Sequence, residues 1–407
     1  MSTINSVSDQ TLREEVQQWL SENWHDALAE ELRNEAYGWE TSAARKEWLG
    51  KVLESRWAVP RWPEEWYGRE LSNDQAKIIE REFARVGAPG SGQDRTNLWV
   101  NTLLAAGQQG LKEKLIAPLL RNEVNMCLLY SEPGAGSDLA GIRTRADRQG
   151  DHYVVNGQKV WTSGARVADY GMLIARTDWD VPKHKGISFF FCPMDQEGIE
   201  VRPLRQITNE AHFNEVFITD AIVPAENRLG AEGTGWQVLN TALAYERSVM
   251  GEAARGPRSG VATATDEEPL IALAREADRL EDPTLRQDIA QTIAYKHLNA
   301  LNSARAKADL AQGTSSAIMS LGKLAMSRIL HEEARLRTEI LGAGSLFEGE
   351  EYPRSEDANF LTFNAYFTSI GGGTDQIQRN VIGERVLGLP KEPEVDKHIP
   401  FRDVRTS

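Results

Sequence analysis

The chain has 407 residues, 41% hydrophobic and 26% charged, with 46 Lys plus Arg against 60 Asp plus Glu and a formal net charge of −14. That length predicts two or three lobes rather than one core, and the composition excludes a wholly disordered chain. The acidic balance argues against a nucleic-acid partner, and two cysteines, Cys127 and Cys192, are too few for a disulfide scaffold or a multi-cysteine metal site.

From Thr11 to about Leu120 the pattern is helical, with Leu12, Val16 and Leu20 recurring at fourth positions on one face. Seven of the eleven tryptophans fall in the first 66 residues. Several of them lie in Arg56 to Tyr67, where Pro60 and Pro63 break helix and predict an ordered, aromatic-rich connection packed into a core. From Asn125 to Gly230 the chain reads as β. Asn156-Gly157 between Tyr153–Val155 and Lys159–Trp161 predicts a hairpin, and Tyr170–Arg176, Ile187–Met194 and Val216–Ile222 read as further strands. Short turns between them predict an antiparallel sandwich or barrel rather than βαβ units. Both cysteines sit in apolar runs and read as core residues.

From Thr234 onward the pattern is helical again, through Leu301–Leu310, Ile318–Leu341 and Gln376–Leu387. The polar, small-residue segment Arg255–Asp282 reads as starting in a long surface loop. The expected architecture is therefore α+β, with a helical domain over 1–124, a β domain over 125–233 and a C-terminal four-helix-bundle domain over 234–407. No run reaches the ~18–20 apolar residues a membrane span needs, so no membrane insertion is expected. The first twenty residues lack an apolar signal region, which points to a cytoplasmic protein.

The seven histidines include no i, i+4 pair and no HExxH, so no metal site is expected. GxSxG, P-loop and GxGxxG patterns are absent as well. One segment stands out. Ser131-Glu132-Pro133-Gly134-Ala135-Gly136-Ser137-Asp138 ends a strand-like run with a turn of small residues and hydroxyls that lets backbone approach a ligand. This string resembles the signature of the acyl-CoA dehydrogenase family. Gly157-Gln158-Lys159-Val160-Trp161-Thr162-Ser163-Gly164 and Thr374-Asp375-Gln376-Ile377-Gln378-Arg379-Asn380 resemble the same family at the intervals expected for it.

The resemblance implies FAD as cofactor. Leu128, Tyr130, Ser131, Gly136 and Ser137 would lie along the flavin, with Ser137 also touching the acyl-CoA. Trp161 and Thr162 would pack on the ring, and the Ser163 hydroxyl would approach N5, where a donor stabilises charge arriving with hydride. Thr374 and Gln376 would contact FAD from the start of a C-terminal helix, for which Thr374 is a suitable N-cap. The family's usual glutamate base would stand at Gly372, which has no side chain. A smaller set of the family carries the base on a helix, and the matching residue here is Glu246. Its neighbours at i±3 and i±4, Leu243, Ala242, Val249 and Met250, are apolar, as are Leu239 and Ala253 seven residues away. Such a stripe would raise the carboxyl pKa and suit a base.

Glu246 would thus take the α-proton of an acyl-CoA while hydride leaves from the β-carbon. Tyr245 and Arg247 flank it, and Gly371, Gly372 and Gly373 would complete the substrate contacts, with the Gly372 N–H on the thioester oxygen. The missing aromatic at Gly371 predicts room for a bulky or branched acyl group. Two stretches depart from the family where it reaches a neighbouring subunit's FAD: Arg255–Glu268, and Glu339–Gly344, which keeps Gly342. These departures leave open a non-catalytic partner subunit in a heterotetramer beside the catalytic homo- or heterotetramer. A flavin oxidase or monooxygenase on the same fold stays open too. Electron-transfer flavoprotein is the acceptor that the resemblance implies.

Overall fold

The computed structural model describes residues 8–35, 41–253, 268–311, 318–349 and 351–405; the side chains of 246–253, 307, 310, 311, 319 and 320 fall outside that description. The chain divides into two compact units, Met1–Leu204 with Ala211–Val249 and Val395–Ser407, and Arg205–Glu210 with Met250–Glu394.

Among the described residues the first unit opens with seven α-helices: α1 Asp9–Asn23, α2 Asp26–Arg33, α3 Ala43–Glu54, α4 Asn73–Val86, α5 Gln93–Thr96, α6 Leu98–Ala106 and α7 Gln109–Leu120. Ser8 caps α1 by accepting from the Thr11 N–H, and the repeat Leu12, Val16, Leu20 is the buried face that the sequence implied. Ser72 and Gln75 form a reciprocal capping box on α4. Between α3 and α4 the proline-broken stretch buries Trp57 and Trp62, so those indoles are core residues as expected.

Eight strands follow: β1 Met126–Leu129, β2 Arg145–Gln149, β3 His152–Ser163, β4 Tyr170–Arg176, β5 Ile187–Pro193, β6 Ile199–Leu204, β7 Phe213–Pro224 and β8 Arg228–Leu229. They form one sheet in the order β6-β7-β3-β2-β4-β5-β8, with β1 paired to β4. Most pairings are antiparallel, as expected; β1–β4 and the single bridge between β2 and β4 are parallel. The apolar run of β5 is buried on both faces. Phe189 and Phe191 join the core shared with the N-terminal helices, while Phe190 and Cys192 face a second core lined by Leu173, Val216 and Val223. Both cysteines are free and buried, and burial pushes the Cys192 thiol up to about 12.

The Asn156-Gly157 hairpin does not form. Residues 152–163 are one strand, and the two-residue turn lies at Gly150-Asp151. Asn156-Gly157 instead sits at a register shift against β7. There Asn156 exchanges two hydrogen bonds with Asp220, each 2.9 Å. A Cβ on Gly157 would lie 2.4 Å from Thr144 Oγ1, so this glycine serves close strand approach rather than a turn.

Helix α8, Gly235–Ala253, begins in the first unit and buries Val238, Leu239 and Ala242 in the shared core. The second unit contains α9 Pro269–Glu276, α10 Pro283–Ala311, α11 Met319–Leu341, α12 Pro353–Ile370 and α13 Asp375–Val381, followed by a π-helical turn over Ile382–Val386. The later part of Arg255–Asp282 forms helix α9: Glu268 caps it and Leu270, Leu273 and Ala274 are buried, while the start of the segment, which the sequence reads as a surface loop, falls within 254–267, outside the described residues. Leu270, Leu285, Ile289, Leu336 and Ile340 form this unit's core.

Candidate functional site

Two of the sequence motifs come together in the first unit. The turn after β1 closes through reciprocal backbone bonds between Glu132 and Ala135, at 2.9 and 3.0 Å. It is stitched to β3 by the Val160 N–H, which donates to Ser131 O at 2.9 Å. Lys159, fully buried, donates Nζ to Tyr130 O at 3.1 Å, to Ile174 O at 2.8 Å and to Glu132 Oε1 at 2.8 Å. Glu132 in turn accepts from the N–H groups of Arg143 (2.7 Å) and Thr144 (2.9 Å), which ties down both ends of the 132–144 loop. Burial pushes the Glu132 carboxyl up, but the Lys159 charge and these hydrogen bonds outweigh it and hold it below the usual carboxylate value. Burial also lowers the Lys159 pKa.

On this frame the loop presents an open face. Ser137 is exposed and Ser131 half-buried, and Cβ atoms on Gly134 and Gly136 would meet nothing within 4 Å. Leu128 is half-buried and Tyr130 buried, its ring edge-on to Phe189 at 6.0 Å. Across the stitch, Trp161 adopts φ 62 at a second register shift of β3 against β7. Left-handed backbone at a tryptophan is strained, and such strain concentrates at functional sites. Its indole is 60% exposed and rests edge-on against Phe213 at 5.8 Å. Beside it, Thr162 Oγ1 is buried without a hydrogen-bond partner among the described residues, and Ser163 is half-buried. An exposed aromatic face, adjacent hydroxyls and a loop with room for close approach fit a flat heteroaromatic group carrying polar edges.

The matches to known families agree with this geometry. The family model for the acyl-CoA dehydrogenase N-terminal domain matches residues 8–123, that for the middle domain 127–221 and that for the C-terminal domain 233–387. The chain belongs to the acyl-CoA dehydrogenase family. It is similar to acyl-CoA dehydrogenase IpdE1 of Mycobacterium tuberculosis (strain ATCC 25618 / H37Rv), 34% identical over 396 residues that span 93% of this chain and 97% of that protein. Among solved structures it resembles the ChsE4-ChsE5 complex from Mycobacterium tuberculosis, 28% identical with a TM-score of 0.66, covering 96% of this chain and 100% of the other. The Tcur3481-Tcur3483 steroid ACAD is 26% identical, with a TM-score of 0.67 and coverage of 96% and 100%. This acyl-CoA dehydrogenase is thus an oxidoreductase, and no described helix is long and apolar enough to cross a membrane.

The remaining expected residues are less fully placed. Position 246 lies on α8, where Leu239 and Ala242, seven and four residues before it, are buried. The Glu246 and Arg247 side chains fall outside the described residues. Tyr245 is half-buried against the shared core, and burial, with the nearby Asp94 charge, raises its pKa.

Within the second unit, Thr374 caps α13 by accepting from the Ile377 N–H at 3.2 Å, as the sequence implied. Asp375 is tied to α11 by Ser327 Oγ (2.8 Å) and Lys323 Nζ (3.3 Å), which fixes the helix start; Gln376 is exposed. Gly372 and Gly373 have φ 63 and 90, a backbone that requires glycine. A Cβ at Gly371 would lie 3.0 Å from Phe367 Cε2, so an aromatic ring already occupies the space beside that glycine. Gly342, at φ 54, opens the turn after α11 and is exposed. Sequence reasoning missed Glu132 and Lys159 as supports of the site. The available signal was a lysine in an apolar strand, beside Val160 and four residues after Val155.

Proposed function

We propose that this chain catalyses FAD-dependent α,β-dehydrogenation of an acyl-CoA thioester, with Glu246 as the base that removes the α-proton. The observation that carries the flavin reading is the strained, outward-facing Trp161, which follows the Val160–Ser131 bond that stitches β3 to the open Ser131–Ser137 turn and precedes the Thr162 and Ser163 hydroxyls. Bound FAD would supply the acceptor for the β-hydride. With FAD bound, Trp161 would stack on the ring, the Ser163 hydroxyl would face its edge, and Leu128, Tyr130, Ser131, Gly136, Thr374 and Gln376 would hold the remainder. Ser137 meets the thioester arm. Glu246 sits on a helix whose preceding turns are apolar, an environment that favours a neutral carboxyl and so a base poised nearer neutral pH. The Gly372 N–H polarises the thioester oxygen, which acidifies the α-carbon. Tyr245 and Arg247 orient the base or the acyl group.

The acyl group we assign is bulky or branched. Support comes from the likeness to a protein named a steroid ACAD. An acyl-CoA panel, straight-chain against polycyclic, tested by anaerobic bleaching of the flavin, checks this. Faster bleaching by polycyclic thioesters is expected, and equal or faster bleaching by short straight chains removes the size argument. Electron-transfer flavoprotein is the proposed acceptor and a tetramer the proposed assembly.

A second reading, a partner subunit that completes another chain's flavin site, is favoured by one observation. Glu339 stands where the family places glutamine, and its carboxylate is held at 2.8 Å by Arg335, which also pairs with Asp288 and Glu332. Thr338, Glu339, Arg335, His331 and Tyr366 line a cavity of about 460 Å³ there. The likeness to two complexes named for two chains each, ChsE4-ChsE5 and Tcur3481-Tcur3483, points the same way. Purification alone separates the readings. A yellow protein that oxidises an acyl-CoA supports the enzyme, and a colourless chain supports the partner.

A further inference from the structure

The residues that follow Ser137 hang on two cations. Arg176, buried on β4, donates Nη2 to Ala140 O at 2.7 Å, Nε to Ile142 O at 3.1 Å and Nη1 to Lys183 O at 3.0 Å. Lys183 donates Nζ to Asp138 Oδ2 at 2.9 Å. The 138–142 backbone therefore takes its path from a guanidinium and an ammonium rather than from a strand ladder.

The C-terminal segment covers both cations. Phe401 is 1% exposed, and its ring centroid lies 3.4 Å from Arg176 Cζ, 5.1 Å from Arg143 Cζ and 5.5 Å from the Trp179 ring. The N–H groups of Phe401 and Arg402 donate to Val181 O and Trp179 O, each at 3.0 Å, and Arg402 also pairs with Asp180. Asp396 Oδ2 accepts from Lys183 Nζ at 3.0 Å, so one ammonium bridges Asp138 and Asp396. Burial works against that ammonium, but its bonds to the two carboxylates outweigh the penalty and hold its pKa up.

We propose that residues 395–405 are a strap that holds the cofactor-facing turn in shape, with Phe401 as the principal positioning residue and Asp396 as the second. The Phe401 ring seals the face of the Arg176 guanidinium, which keeps water from competing for the carbonyls of Ala140 and Ile142. Asp396 holds Lys183 where it meets Asp138. Without them, both cations can turn to solvent and the loop behind Ser131–Ser137 loses its anchors. The inference rests on the reading of that turn as the FAD and thioester contact.

The test uses the full chain carrying Phe401→Ala, Phe401→Tyr or Asp396→Asn, with amide hydrogen exchange and steady-state kinetics. The informative amides are those of Gly141, Arg143 and Thr144, bonded to Asp138 O and the Glu132 carboxylate. In Phe401→Ala their exchange should rise about tenfold or more, while the Tyr153 and Val155 amides on β3 change less than about twofold. KM for acyl-CoA should rise about fivefold with kcat per bound flavin within about twofold, because the turn contributes binding rather than chemistry. Phe401→Tyr should restore both readouts, and Asp396→Asn should fall between. Unchanged exchange at 141–144 overturns the strap, as does an equal rise on β3, which would mark general loosening. Faster loop exchange with unchanged KM overturns its link to the site. Should Phe401→Ala fail to fold, Asp396→Asn decides by the same readouts. A wild-type chain that binds no flavin overturns the functional reading instead, while the exchange pattern still decides the strap.

Discussion

Replacing Lys159 by methionine removes the ammonium on which the 130–144 loop converges and keeps most of the side-chain volume. The Lys159 side chain is fully buried and Glu132 is 9% exposed, so the variant leaves a nearly dry carboxylate without its cation. Stripping one partner from a buried ion pair costs about 3–5 kcal/mol. The carbonyls of Tyr130 and Ile174 also lose a donor, but Glu132 keeps the Arg143 and Thr144 N–H groups, which argues for the lower half of that range. At a urea slope of about 2–3 kcal/mol per molar, the unfolding midpoint should fall by about 1–2 M. Lys159→Met combined with Glu132→Gln should recover about 1–3 kcal/mol of that loss, since the orphaned charge is then gone. A Lys159→Met midpoint within about 0.3 M of wild type, or a double variant whose loss equals the sum of the singles, would show that the pair does not hold the loop.

Acid titration checks the same pair with a sign. Glu132 is held below its usual 4.5, so its contribution to stability is present above that value and lost as pH falls through the lowered one; urea midpoints should drop across this window. In Lys159→Met burial prevails, the folded pKa rises above the unfolded one, and this carboxyl's contribution should instead grow on acidification. Trp161→Gly relieves a left-handed backbone and removes an exposed indole. Its urea-unfolding free energy should stay within about 1 kcal/mol of wild type while flavin content per chain falls severalfold. A variant that keeps its flavin would remove Trp161 from the site. Gly157→Ala puts a Cβ 2.4 Å from Thr144 Oγ1 and 2.8 Å from its Cα, and thermal unfolding should show a loss of about 1–3 kcal/mol.

Helix periodicity, caps and apolar strand runs were legible because each is a local pattern with a local cause. Leu12, Val16 and Leu20 mark a buried face, and Thr374 caps its helix. The Asn156-Gly157 dipeptide misled because its cause is non-local: Thr144 on a neighbouring segment needs the space that a Cβ would take. Helix α9 was obscured by the polar residues around it, although Leu270, Leu273 and Ala274 suffice to bury one face.

For the site, the motif strings located the Ser131–Ser137 turn and the Trp161–Ser163 segment but not what holds them. Lys159 and Glu132 are 27 positions apart, and Lys183 and Asp396 are 213 apart. No spacing rule joins such pairs before the sheet brings them together. The glycines at 371–373 show the opposite case. Their sequence suggested vacated volume, whereas φ at Gly372 and Gly373 shows a backbone demand and Phe367 stands beside Gly371.

The assignment of the base is tested most directly by Glu246→Gln, mixed anaerobically with an acyl-CoA that bleaches the wild-type flavin. The variant should bind flavin and thioester as wild type does and reduce its flavin slower by about 10²–10⁴-fold, the usual contribution of a positioned base. Flavin reduction at the wild-type rate would contradict the account and move the proton to another residue.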